Sequence, residues 1–544
     1  MRLNRRSLLA GTAAVAAGAA LSACSTDDAT GGGGEAGGNS NAPESRESLK
    51  PTYTKLEGTT PDVEADVELG LPEAYWTFPD PAPSRDILPL PEIATISFLT
   101  QGNAPPAARG NNQRWDDLEK ATGAQWDITF GSFVDYDAVF QTRVASGDLP
   151  DFVQVVPVSR FGDLLESQFE DLTEYLAGDA AAEYPALAAM RPDAWDVGII
   201  NGALRAIPRP RTAATGRCCR TSAANLEAIG LDPMVEPANY EELYDIFTEL
   251  TGNGKFAMGS DPVEWLLNLV LEGVGAPNVW RVEDDGSFTH ANETEEMVAA
   301  LEWVKKVWDA GLLHPNSFIE PQNNNVWWKA EQTTFYHEGA ITRVNLTEEG
   351  ADRGTGFLVN PKFDGGGPAA KHTGPGAYYA PIAISKQDSP DRVRELLRVA
   401  DALASPYGTA EFLRLQYGIE GRHYTLEDGA IKTDSDMSKQ EPLMTNYLGM
   451  QGSAVFTGPQ KSGEMTLDFA RKIMADKMPN PAENIFNEED LNSIAAERQL
   501  TDLKADIIQG RQPMSAWEGG VKRFSSAKEK AKQVYAEEYA KLNG

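Results

Sequence analysis

The chain has 544 residues, of which 41% are hydrophobic and 9% aromatic, and its formal net charge is −33. This length allows more than one hydrophobic core, and the composition is that of a globular protein. Such an acidic surface repels nucleic acid and anionic lipid headgroups. We therefore expect no nucleic-acid partner.

Residues 1–23 have the layout of a bacterial export signal, with a basic start, a short apolar run rich in Ala and Gly, and small residues before Cys24. The ending Leu21-Ser22-Ala23-Cys24 resembles the bacterial lipobox, in which the Cys carries the lipid. Arg5-Arg6 resembles a twin-arginine signal. The apolar run is too short for a good membrane span. We expect an exported protein that is lipidated at Cys24 and held at the extracellular face of the membrane.

Residues 24–88 are predicted to be a flexible tether. Up to Ser48 the segment is rich in Gly, Ser, Asp and Glu, and it cannot bury a core. The remainder is acidic and rich in Pro, which stiffens it.

The next part of the chain alternates strands and helices. Strands are predicted over 93–99, 125–130 and 151–156, and helices over 111–122 and 136–146. This alternation is typical of an α/β lobe with largely parallel strands. Ligands of such sheets bind at the carboxyl ends of the strands.

Later segments are predicted to be helical, because apolar residues recur at helical spacing over 240–250, 297–308 and 393–400. From residue 461 the chain is predicted to be nearly all helical, with Gly510 just past a helix end. Trp303 and Trp308 fall on a stripe and are assigned to the core. Trp327 and Trp328 are adjacent, so they cannot share a helix face.

No sequence signature of a hydrolase, a P-loop or a dinucleotide site is present, and the five His have no metal-ligand spacing. We therefore predict no catalytic activity, no cofactor and no metal. Cys218 and Cys219 are interpreted as half-buried apolar side chains, with a vicinal disulfide as the alternative.

Five short landmarks follow one another in order: 145–151 (ASGDLPD), 206–208 (AIP), 275–280 (GAPNVW) with 284–286 (DDG), 311–315 (GLLHP) and 417–424 (YGIEGRHY). Together with the lipobox they resemble the large extracellular solute-binding proteins of carbohydrate ABC transporters. The resemblance is greatest to the lipoprotein subgroup associated with oligosaccharide uptake, and it covers about 93–544.

The resemblance implies an α/β, two-lobed periplasmic-binding-protein-like fold of type II, with discontinuous lobes joined by a hinge. It implies chain crossings near 207–208, 356–357 and 404. The predicted lobes are 89–207 with 356–403, and 208–355 with 404–544. Ligand would bind in the cleft, and closure of the lobes would present it to a permease.

Some relatives carry a calcium loop that ends in Asn-Gly-Asn-Gly-Lys. Here 251–255 reads TGNGK, without the preceding acid. Calcium takes 6–8 oxygen ligands, so we predict no such site.

Sugars are bound by aromatic faces together with charged and amide groups, which the resemblance places at strand ends and crossings. The predicted ligand-binding residues are Gln101, Asn103, Ser159, Arg160, Arg209, Arg211, Glu264, Trp265, Arg343, Asn345, Tyr378 and Tyr379. A core position is the alternative for Trp265. At most one of the two adjacent Tyr lines the cleft, because they face opposite sides of a strand.

Five Arg lie within 205–220. They either pair with acidic neighbours or form a basic cleft for an anionic saccharide such as a uronic-acid oligomer. The predicted function is a monomeric, non-catalytic, lipid-anchored receptor that delivers an oligosaccharide to an ABC importer. The alternatives are the same fold binding a peptide or another solute, and a secreted polysaccharide-degrading enzyme.

Overall fold

The computed structural model describes residues 43–56, 60–66, 68–102, 109–132, 135–210, 217–338, 355–373, 378–442, 448, 454–455, 460–483 and 485–543. They all belong to one unit, Asn39–Gly544. The predicted export signal, Cys24 and residues 24–42 of the predicted tether lie outside the described residues. In the described ranges, no helix combines the length and the apolar character needed to cross a membrane.

The strands, in chain order, are β1 Ala74–Tyr75, β2 Ile96–Gly102, β3 Trp126–Ser132, β4 Phe152–Gln154, β5 Ile199–Ile200, β6 Ala203–Leu204, β7 Ile207–Pro210, β8 Cys218–Ser222, β9 Met234–Val235, β10 Phe256–Met258, β11 Trp280–Val282, β12 Phe288–His290, β13 Thr333–Glu338, β14 Thr355–Leu358, β15 Lys371–His372, β16 Tyr378–Ile384, β17 Tyr424–Glu427, β18 Ala430–Thr433, β19 Ala454–Val455 and β20 Lys477–Met478.

The α-helices are α1 Pro43–Leu49, α2 Gln113–Thr122, α3 Tyr136–Ser146, α4 Phe161–Gln168, α5 Thr173–Leu176, α6 Pro185–Ala188, α7 Ala223–Glu227, α8 Tyr240–Glu249, α9 Leu267–Gly273, α10 Glu295–Asp309, α11 Asn324–Lys329, α12 Pro390–Leu403, α13 Ala410–Phe412, α14 Ser435–Gln440, α15 Gln460–Met474, α16 Glu488–Asn492, α17 Ile494–Ile508 and α18 Ala516–Asn543.

The first sheet has the strand order β3-β2-β4-β16-β7. The strands β2, β3 and β4 are parallel, whereas β16 is antiparallel to both of its neighbours. Side chains on β2 alternate between two apolar clusters, with Phe98 in one and Leu99 in the other. Helices therefore cover both faces, as the predicted alternation of strands and helices requires.

The second sheet has the strand order β10-β13-β8-β14-β9. It packs against its own core, which contains Tyr240, Val304 and Phe335 and is separate from the clusters on the first sheet. Two five-stranded sheets with separate cores confirm the α/β, two-lobed periplasmic-binding-protein-like fold class.

The positions of two predicted crossings are wrong. Phe357 lies in β14, which pairs with β8 and β9 of the second sheet. The chain therefore leaves the second sheet after Leu358 and reaches the first one at Tyr378, because the 356–357 segment is held between two second-sheet strands. The segment after Ala404 stays with the first lobe, since Leu415 and Leu448 are members of the first core.

The predicted tether is shorter than 24–88. Arg46 is buried and donates to the backbone O of Asp196 over 2.8 Å. Leu71 joins the apolar cluster beneath Phe469, and the Tyr75 ring lies 4.5 Å from that of Tyr407. These apolar residues are too irregularly spaced to indicate an element, yet each fills a gap on the folded body.

The cysteines and tryptophans follow their predicted roles with one change. Cys218 and Cys219 are free thiols, and they are buried rather than half-buried because β8 is covered on both faces. Trp303 is in the core. Trp327 is buried and stacks on His314 at 3.7 Å, whereas its neighbour points the other way.

Residues 417–441 contain a buried polar pair. The His423 ring accepts the N–H of Ile419 at Nδ1 over 3.0 Å, so its Nε2 donates to Glu441 over 2.9 Å. Arg422 donates to the same carboxylate and, with the His423 bond, lowers the pKa of Glu441 to about 2. Burial lowers the pKa of His423, which keeps the ring neutral.

We predict that Glu441→Gln flattens the acid side of the stability profile. A carboxylate whose pKa is depressed in the folded state stabilises the fold above its unfolded pKa, and that stability is lost as the pH falls from about 4.5 to 2. The loss in the wild type from this group is at most about 3 kcal/mol. Urea denaturation at several pH values measures it. Equal slopes for the variant and the wild type would contradict the prediction.

Candidate binding site at the sheet edges

The edges of the two sheets at which the chain crosses carry the candidate site. Tyr378, which begins β16, lies opposite Pro210, which ends β7. In the second sheet, Glu338 at the end of β13 lies opposite Cys218 at the start of β8. The chain thus passes from one edge to the other within a few residues, and the carboxyl ends of β2, β3 and β4 share the first edge.

Trp265 lies at the second-sheet edge, in a π-helical turn (Pro262–Leu266) that leads into α9. Asp261 begins this turn and accepts the N–H groups of Val263 and Glu264, both over 2.8 Å. Such turns occur frequently at functional sites. The Trp265 ring is only partly buried, so the predicted core alternative is not what the structure shows.

Arg217, one residue before β8, covers one face of that ring. Its guanidinium carbon lies 4.2 Å from the Trp265 ring centroid, a cation–π contact. It also pairs with the Glu264 carboxylate over 3.2 Å. An aromatic face, a guanidinium and a carboxylate are therefore assembled at one point, and the positive and negative charges balance.

His337 lies edge-on to the same ring, with centroids 5.9 Å apart. Its Nδ1 is 2.7 Å from the backbone O of Trp265 and so carries the proton. Burial, and then the charges of Lys371 and Arg217, hold the pKa of His337 well below its usual range. The buried Nε2 of this neutral ring has no hydrogen-bond partner.

At the first-sheet edge, two predicted residues are used in different ways. Gln101 is partly buried at the end of β2, and its backbone N lies 3.4 Å from the side-chain O of Gln154. Arg209 is 3% exposed within β7, so it is built into the sheet and does not line an open surface.

Ser159 and Arg160 contact protein in this structure. The Ser159 hydroxyl donates to Asn492 over 2.6 Å, and the backbone N of Arg160 donates to the same oxygen over 3.3 Å. Asn492 belongs to α16, which lies with the second core's helices. The sequence placed both residues correctly at the end of a first-sheet strand but could not show this partner.

The remaining predicted residues have no described side-chain geometry. Asn103, Arg211, Arg343 and Asn345 lie outside the described residues. Tyr378 and Tyr379 lie in β16, where only the backbone is described. Their roles stay predictions.

Sequence reasoning did not select Arg217 or His337. Arg217 was visible as one of five clustered Arg, and this cluster was the only signal for it. Nothing in the sequence marks His337, which is brought to Trp265 by the pairing of β13 with β8 and β10.

In the part of the chain that the structure describes, no group of three or more His, Cys, Asp or Glu residues is arranged to hold a metal. The loop predicted to lack calcium is a tight turn in which Gly252 and Lys255 bond each other's backbone. The Lys255 ammonium donates to Asn225 over 2.8 Å.

Comparisons with known proteins agree with this architecture. Residues 107–400 match the family described as "Bacterial extracellular solute-binding protein". The chain is 23% identical to lipoprotein LipO of Bacillus subtilis over 353 residues, which is 62% of this chain and 69% of LipO.

Two solved structures share the fold. One is an extracellular solute-binding protein from Bifidobacterium longum subsp. infantis, with a TM-score of 0.60, 15% identity, and coverage of 83% of this chain and 99% of that one. The other is the N-glycan transport solute-binding protein NgtS from Streptococcus pneumoniae in complex with Man1GlcNAc. Its TM-score is 0.59 at 15% identity, and the match covers 83% of this chain and 99% of that one.

Proposed function

This chain belongs to the bacterial extracellular solute-binding protein family, and on that premise we propose that it captures an oligosaccharide between its lobes and delivers it to an ABC importer. The observation that carries the proposal is the Trp265 cluster. A partly exposed aromatic ring with Arg217 and Glu264 beside it offers a stacking face for C–H groups and charged partners for hydroxyls.

The proposed location is the extracellular face of the membrane, with the lipid on Cys24. The lipobox supports it, as does the likeness to LipO, which is a lipoprotein. Because the chain packs on the body from Pro43 onward, only about residues 24–42 remain to act as the tether. A short tether keeps the binding protein within reach of a membrane permease.

A neutral saccharide is favoured over an anionic one at this site. The Arg217 guanidinium is balanced by Glu264, and Arg209 is buried. A carboxylate ligand would meet the Glu264 charge, whereas hydroxyls can both donate to it and accept from Arg217. Arg209→Ala with Arg211→Ala tests the anionic hypothesis, which fails if affinity for uronic-acid oligomers is unchanged.

The function is tested by thermal shift with neutral oligosaccharides, uronic-acid oligomers and peptides, followed by chromatography of each mixture. We expect stabilisation by an oligosaccharide, about 2.7 kcal/mol at a hundredfold excess over Kd. No cleavage products should form. Cleavage would support the enzyme alternative, and stabilisation by peptides alone would support the peptide alternative.

We predict that Trp265→Ala weakens binding of the saccharide that gives the largest shift. Loss of a central Trp at a binding site costs about 2 kcal/mol, or roughly thirtyfold in Kd. Titration calorimetry measures this change. Trp308→Ala is the matched control, since its ring is also partly buried but packs on Phe318. Equal Kd values for wild type and Trp265→Ala would remove Trp265 from the site.

A further inference from the structure

The short helix α16 is fixed rigidly to the second lobe. Asp490 accepts from the buried Lys528 ammonium over 2.6 Å and from the Tyr535 hydroxyl over 3.0 Å, both on α18. Asn487, which begins α16, donates to the backbone O of Ala531 over 2.9 Å. These three bonds make α16 move with α18.

Other side chains of the same segment contact the first lobe. Asn492 accepts from Ser159 and from the backbone N of Arg160, as described above. Glu488 accepts the backbone N–H of Gly162, in the first turn of α4, over 3.0 Å. A carboxylate at that end of a helix is favoured by the unpaired N–H groups and by the helix dipole.

Apolar packing joins these polar bonds. Phe486 and Leu491 pack against the cluster that contains Phe161 and Leu165 of α4. A Cβ at Gly162 would lie 3.2 Å from the Phe486 ring and 2.6 Å from the Asn201 amide, so the close approach requires Gly there.

Arg160 has a φ of 57°, which a non-Gly residue adopts only when its surroundings hold it. The Asn492 oxygen holds the backbone N of Arg160, and Asp163 holds its guanidinium at 2.9 Å. Part of this restraint therefore comes from the other lobe.

We propose that α16 is a latch between the lobes: the contacts from Glu488, Asn492, Phe486 and Leu491 to the start of α4 stabilise the lobe spacing of this structure. Since α16 is fixed to α18 and α4 is fixed to the first sheet, the lobes cannot separate without breaking these contacts. The latch therefore sets the ratio of open to closed forms before any ligand binds. It depends on the two-lobed fold and not on what the cleft binds.

The test is the distance distribution between spin labels at Ala145→Cys and Glu529→Cys in the full, ligand-free protein. These positions are exposed, one at the end of α3 and the other on α18. We expect Glu488→Ala with Asn492→Ala to raise the population of the longer distances about tenfold. Glu489→Ala is the matched control, because its side chain is on the same helix and makes no described bond to α4.

Ser159→Ala supplies a variant on the other lobe that leaves α16 intact. It should shift the distribution in the same direction by a smaller factor. An unchanged distribution in both the double variant and Ser159→Ala would overturn the latch. An equal shift in Glu489→Ala would also overturn it, because general loosening of α16 would then be the cause. Neither result bears on ligand identity, so failure of the latch is distinct from failure of the proposed function.

Discussion

Lys371→Met is expected to lower the free energy of unfolding by about 3–5 kcal/mol, because it leaves a buried carboxylate without its counter-ion. The Lys371 ammonium lies 2.6 Å from Glu272, and both side chains are less than one tenth exposed. Asn360 contacts the other Glu272 oxygen at 3.5 Å, too weakly to replace the ammonium. Urea denaturation at neutral pH, followed by circular dichroism, measures the loss.

Two further variants test the cause. Glu272→Met combined with Lys371→Met removes both charges, and apolar side chains of similar volume should restore most of the stability. Lys472→Met breaks an exposed pair with Glu236 and should cost no more than about 1 kcal/mol. A loss below 1 kcal/mol for Lys371→Met, or a double variant no more stable than the single one, would contradict the prediction.

This ion pair lies where the chain prepares to cross between the sheets. Lys371 and His372 form β15, and residue 373 is the last described before β16 in the first sheet. His372 donates to the backbone O of Ala276 over 2.9 Å, and Asn278 donates to that of Thr373 over 2.7 Å. The second lobe thus holds the crossing strand up to its end, and weakening that hold should also loosen the hinge.

Local patterns in the sequence were sufficient to predict the first lobe's alternation and many of the helices. The helix predicted over 136–146 has those bounds in the structure, because Gly147 with a φ of 70° ends it. Gly510 lies just past the end of α17 with a φ of 73°, as predicted. Periodicity and turn residues act over a few residues, so they can be read from the sequence directly.

The crossings could not be located in this way. Whether Phe357 belongs to one sheet or the other is decided by its pairing with Met234 and Arg220, more than one hundred residues earlier. The same holds for residues 43–88, whose apolar side chains are distributed over several clusters. Contacts at such separations leave no local signal in a single sequence.

The candidate site was predicted in part for the same reason. Trp265 follows a recognisable strand and helix start, and the structure shows it partly exposed at a sheet edge. Arg217 reaches its ring across 48 positions, and His337 across 72. Only the folded arrangement of β8, β10 and β13 shows that these three side chains form one cluster.

Gly356→Ala is expected to be the other strongly destabilising change, by about 3 kcal/mol or more, because β14 has no room for a side chain there. A Cβ at this position would lie 1.8 Å from the backbone O of Pro233. That oxygen accepts the N–H of Phe357 over 3.1 Å and the Thr221 hydroxyl over 2.7 Å. Moving it away breaks both bonds and separates β14 from the segment that leads into β9.

The matched control is Gly519→Ala, the same substitution in the interior of α18. There a Cβ meets only the end of the Arg523 side chain, at 3.7 Å. Ala is the better helix former, so this variant should gain about 0.5–1 kcal/mol. Urea denaturation of both variants beside the wild type gives the comparison. Equal stability of the two variants would show that the β14 backbone can shift to admit a methyl group, and the second sheet would then be more deformable at its crossing edge than its hydrogen bonds imply.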